Sequence, residues 1–192
     1  FTPDILLYLM WRGEIDVKIM AEFDFRVFTN FELYYVGISK ENDSFTRLFK
    51  DAHKGRTSIL TNGHPKTFGS RMSDELVIFM FELDYFNINV CSTLEDFERD
   101  FSYVTPDLLV VADAEKAFIN LLNTKFNKVK YNQFPKGEDG LHTEGLKNYC
   151  YTIKEDISFY TDEIQFNGKF NETDDSDFIF VEGDVAKIVK LT

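Results

Sequence analysis

The chain has 192 residues, a net charge of −12 and a pI near 4.7. That length suits one domain, spanning 1–192, with a full hydrophobic core. Such acidity repels nucleic acid from the averaged surface, so any contact with nucleic acid is expected to be local or indirect. No apolar run approaches the roughly 20 residues that cross a bilayer, and no basic-then-apolar leader opens the chain, so no membrane partner is expected. The 21 Phe and 9 Tyr favour strands and packed interfaces, and with only 4 Pro they argue against disorder. Two cysteines, Cys91 and Cys150, are too few for a disulfide framework; the sequence leaves their pairing open, and reduced thiols are expected.

Residues 5–10 form a short apolar run, read as a strand, that ends in Trp11, Arg12, Gly13 and Glu14. Beyond it Ile15, Val17, Ile19, Ala21, Phe23, Phe25 and Val27 are apolar at every odd position, while Asp16, Lys18, Glu22, Asp24 and Arg26 fill most even ones. This alternation predicts one long strand over residues 15–28 with its odd-numbered side chains buried. After Thr29 and Asn30 a further strand is expected over 31–38, followed by a short helix over 45–52 behind Ser44. Residues 53–73, with Gly55, Gly63, Pro65 and Gly69, read as a long loop containing at most a weak strand over 57–60.

A strand is expected over 76–90, and its continuously apolar start at 76–81 predicts a buried segment. Thr93 is placed to cap a short helix carrying Leu94, Phe97 and Phe101. Asp113 is placed to cap a longer one whose stripe is Ala114, Ala117, Phe118, Leu121, Leu122 and Phe126. Gly137, Gly140 and Gly145 break the chain between this helix and the tail. The tail returns to strands at 157–160, 164–170, 177–181 and 185–191, the last two joined by Glu182, Gly183 and Asp184.

Pro3 and Asp4 are followed, after eleven residues, by Asp16, Val17 and Lys18. These residues resemble the PD-(D/E)xK nucleases, a resemblance that implies metal-dependent cleavage by Asp4, Asp16 and Lys18. Over residues 8–38, an apolar strand ending in Trp-Arg-Gly, a long alternating strand and a further strand resemble the middle of a picornavirus-like capsid jelly roll. The acidic-then-aromatic stretch 174–180 resembles the start of that family's last strand.

The capsid resemblance implies an antiparallel jelly-roll β-sandwich, mainly β, with core 1–91 and 151–192 and a partly helical insertion at 92–150. It implies a structural corner at Trp11, Arg12 and Gly13, no catalytic residue and no cofactor. Its partners would be other capsid chains and a host receptor, and its location the virion, assembled in the host cytoplasm. This is the preferred expectation, with the nuclease as its alternative. A third class, an acidic binding or immunity-type inhibitor protein, follows from composition alone.

His53, His64 and His142 lack metal-ligand spacing and are expected as loop residues. The basic groups 53–56 and 125–130 are expected as solvated faces.

Overall fold

The computed structural model describes residues 3–16, 18, 20, 26–38, 53–81, 83–88, 93–95, 105–168 and 176–190. The helix expected at 45–52, Cys91, and the acidic residues Glu172, Asp174 and Asp175 lie outside these residues, as does most of the helix expected after Thr93, where only Leu94 and Glu95 are described.

The first element is a helix, α1 (Pro3–Trp11), where a strand was expected. A six-residue apolar run fits either element, and the chain around it decides. Pro3 suits the first helical turn, and Gly13, at φ +66°, suits the residue just past the end. Gly13 N–H donates to Met10 O at 3.0 Å and Glu14 N–H to Leu9 O at 2.9 Å, the paired bonds of a Schellman motif. The Trp11-Arg12-Gly13 corner is therefore a helix terminus rather than a turn between strands. Arg12 folds back over it, 2.6 Å from the Glu14 carboxylate and 2.8 Å from the Tyr8 hydroxyl.

The long strand expected over 15–28 is also absent among the described residues. Ile15 lies in a bend, Asp16, Lys18 and Met20 join no strand, and Arg26–Thr29 forms a short helix, α2. Val27, expected inside, is 71% exposed. Alternation states which face a strand would bury, but not whether a neighbour exists to complete its ladder.

The strand expected next forms only as β1 (Asn30–Glu32), and residues 33–38 follow it outside any assigned strand. The expected loop then contains two helices, α3 (Lys54–Asn62) and α4 (Met72–Glu75). The His53 imidazole accepts from Arg56 N–H at 3.1 Å and so caps α3. Of the strand expected over 76–90, only β2 (Asp84–Asn87) joins a ladder among the described residues.

The dominant helix, α5 (Asp107–Leu122), starts about two turns earlier than expected, behind Pro106. Asp113 does not cap it; it lies in mid-helix, in phase with Val110 and Ala117 and fully buried. The tail supplies β3 (Asn148–Thr152), β4 (Ser158–Tyr160), β5 (Gln165–Asn167), β6 (Asp177–Glu182) and β7 (Val185–Lys190).

Among the described residues seven strands form two sheets, which bears out the β-rich reading at that level. One sheet is four-stranded and antiparallel, ordered β2-β3-β6-β7; the other is ordered β1-β4-β5, with β1 and β4 parallel. In the larger sheet Tyr149 pairs with Val181 and Tyr151 with Ile179, and all four side chains are fully buried. Phe159 and Phe166 pair across β4 and β5 and enter the same core.

α5 adds Val110, Ala114, Ala117, Phe118 and Leu122 to that core. The segment expected as a surface insertion at 92–150 thus contains both the principal core helix and part of the central strand β3. Alternating Tyr149 and Tyr151 is a strand signal that sits too close to Gly145 to stand out as a separate element.

Candidate functional site

β1, the chain after it, α3, α4 and one face of α5 surround a cleft of about 640 Å³. Its wall is aromatic. Phe31 and Phe79 meet edge to face with centroids 4.8 Å apart, and Phe159 contacts Phe79 and Phe81 at 5.8 and 5.7 Å. α5 contributes Ala114 and Phe118, whose spacing places them on one helix face.

The wall after β1 is held without a full ladder. The Asn127 side chain accepts from Val36 N–H at 2.9 Å and donates to Val36 O at 2.8 Å, and Phe126 N–H donates to Tyr34 O at 2.9 Å. An amide side chain here takes the role of a neighbouring strand's backbone, and the Thr124 hydroxyl fixes its oxygen at 2.8 Å.

Polar groups converge at one edge. Lys66 Nζ is 2.9 Å from the Glu32 carboxylate and donates to the Tyr160 hydroxyl, and Tyr34 donates to Glu32 at 3.4 Å. The bond to Tyr160, then that to Glu32, raises the Lys66 pKa above the usual lysine value. Burial, then the Glu32 charge, raises that of Tyr34. Glu75 accepts from Lys66 N–H at 2.6 Å and Thr67 N–H at 2.8 Å, which lowers its carboxyl to about 2. Lys66 and Glu75 therefore both remain charged near neutral pH.

The lip of the cleft is residues 76–81, expected as a buried strand. They join no ladder among the described residues, with Val77 46%, Ile78 38%, Met80 62% and Phe81 39% exposed. An apolar hollow with a few convergent polar groups can seat an apolar group and orient a polar one.

The residues expected to carry function are elsewhere. Arg12 and Gly13 end α1. Asp4 is in the first turn of α1, whereas Asp16 and Lys18 are exposed and belong to no strand, so the adjacent strand ends of a PD-(D/E)xK site are not formed. Among the described residues no group of three or more His, Cys, Asp or Glu side chains is arranged to hold a metal, and no helix is long and apolar enough to cross a membrane.

His142, expected as an ordinary loop residue, lies 2.9 Å from the Asp184 carboxylate, which also holds Lys136 at 2.6 Å. This ties the glycine-rich turn region to the β6–β7 turn. Sequence reasoning missed Glu32, Lys66 and Tyr160, of which Lys66 and Tyr160 alone are 94 residues apart. The legible part of this site was the apolar run 76–81 between acidic residues.

Comparison of the chain with protein-family models, with curated proteins and with solved structures finds no match.

Proposed function

We propose that this protein acts by binding rather than by catalysis, seating an apolar part of its partner in the aromatic cleft. The observation that carries the reading is the cleft itself: about 640 Å³, walled by Phe31, Phe79 and Phe159, and bordered by an exposed apolar lip. It belongs to the acidic binding-protein class rather than the nuclease class, because Asp4, Asp16 and Lys18 have no shared strand frame.

The picornavirus-like shell subunit is the second reading. Its support is the four-stranded antiparallel sheet and the exposed lip, which neighbouring chains of a shell could cover. The helix in place of the expected strand before Trp11 and the parallel β1–β4 pair favour the binding reading over a jelly roll.

Titration with an uncharged aromatic fluorophore, Nile red, tests the cleft. One saturable site is expected, weakened about tenfold or more by Phe81→Ser at the lip and by Ala114→Leu in the wall, with unchanged far-UV circular dichroism. Binding that neither substitution affects would overturn the reading. Recovery of the native protein in large symmetric particles would instead favour the shell.

A further inference from the structure

We propose that the cleft receives its partner by strand addition. An extended segment of a basic protein, apolar in the middle and flanked by Lys or Arg, would pair with residues 76–81. The proposal rests on the reading of the cleft as a binding site and names what fills it.

The first ground is the backbone. Residues 76–81 belong to neither sheet among the described residues, Leu76 enters them with extended dihedrals, and Phe79 and Phe81 stack on one side as alternate residues of a strand do. An extended run outside a ladder presents peptide N–H and C=O groups that a second strand can take up. Phe79 and Phe81, two residues apart, stack on each other and both meet Phe159, while Met80 between them is 62% exposed.

The second ground is the lack of protection. Proteins that leave a strand edge open usually guard it with lysine or proline. No Lys or Arg lies between Arg71 and Arg99, and no Pro between Pro65 and Pro106. An apolar edge without these guards fits a segment that is covered when the protein works.

The third ground is charge, which selects the occupant. Residues 72–98 contain seven acidic residues and no basic one, with Asp74 and Glu75 just before the apolar run and Glu82 and Asp84 just after it. Glu75 lines the cleft, and its two backbone donors keep it ionised down to about pH 2. Lys66, a cation lining the cleft, is paired with Glu32. A segment with positive flanks and an apolar centre matches this pattern. A second copy of the chain would bring another net charge of −12 against it.

The test uses the full chain and synthetic peptides of about ten residues, alternating Val and Phe between paired lysines. The lysine-flanked peptide should bind, and raising salt from about 50 to about 500 mM should weaken it about tenfold. Glutamate flanks should weaken it by a similar factor or more, and backbone N-methylation along one edge should abolish binding by removing donors. Amides in 77–81 should gain hydrogen-exchange protection when the peptide is bound. Met80→Lys, at an exposed position, should weaken binding about tenfold without altering circular dichroism.

Equal binding of the N-methylated peptide would overturn strand addition. Equal binding of the glutamate-flanked peptide would overturn the basic partner. In either case a Nile red site sensitive to Phe81→Ser would leave the cleft reading standing. Failure of both dye and peptide would remove the reading and the proposal together. A dimer seen by sedimentation, with protection confined to 76–81, would make the occupant a second copy and overturn the basic partner.

Discussion

The Tyr151 hydroxyl donates to the Asp113 carboxylate across 2.7 Å inside the core, joining the middle of α5 to the central strand β3. The other carboxylate oxygen accepts from Leu141 N–H at 2.9 Å, so one side chain holds helix, sheet and the glycine-rich turns in register. Gly140 lets the backbone pass, since a Cβ there would stand 2.6 Å from the same oxygen. The cleft depends on this anchor, because Ala114 and Phe118 face it from the helix that Asp113 fixes.

Tyr151→Phe should destabilise the fold by about 1–3 kcal/mol, because it leaves a buried carboxylate oxygen without its donor while keeping the ring's packing. Urea denaturation with an unchanged m-value would measure this. A change within error would mean that water or another hydroxyl replaces the lost bond.

The stability of the protein should fall as pH rises above about 4. Burial raises the carboxyl pKa of Asp113, Asp177 and Glu155, so the folded state binds these protons more tightly than the unfolded chain. The stabilising contribution of such groups is complete below their unfolded pKa and is lost as pH passes the folded one. Glu75, lowered to about 2, works in the opposite sense, losing its contribution only as pH falls towards that value. Asp113→Asn should remove its share of the slope, so the variant gains on the wild type between about pH 4 and pH 7 in urea midpoints. Parallel curves would show that Asp113 keeps the same proton affinity in both states.

Gly13→Ala should cost about 1 kcal/mol and fray the end of α1, since a side chain at φ +66° is strained. Faster hydrogen exchange at Gly13 and Glu14 N–H, whose acceptors are Met10 and Leu9, would report it. Unchanged exchange would mean that alanine keeps the left-handed conformation there.

The tail was the most legible part of the fold. Around β6 and β7 the apolar alternation and the turn at Gly183 and Asp184 coincide, and the ladder pairs Glu182 with Val185 as a two-residue turn requires. At the opening of the chain the apolar run was the louder signal, but Pro3 and Gly13 carried the information that made it a helix.

Asp113 was recognised as a helix residue and misplaced as a cap, because a carboxylate in an apolar stripe is costly without partners. Its partner Tyr151 lies 38 residues away, which local pattern does not reach. The same distance problem hid Glu32, Lys66 and Tyr160. The run 76–81 was legible as apolar but not as exposed, because apolarity reports a need for burial and not whether this chain or another provides it.

Cys150 should resist thiol reagents until the sheet opens. It is 8% exposed on β3, with β2 pairing on one side and β6 on the other, and burial raises its thiol pKa, which lowers the reactive thiolate fraction. In Cys91→Ser protein, where Cys150 is the remaining cysteine, modification by Ellman's reagent should be slow in buffer and should accelerate with urea in step with global unfolding. The register sets Phe86 of the edge strand β2 opposite Cys150. Rapid modification in buffer with circular dichroism intact would therefore mean that β2 detaches alone, leaving β3–β6–β7 as the stable part of the sheet.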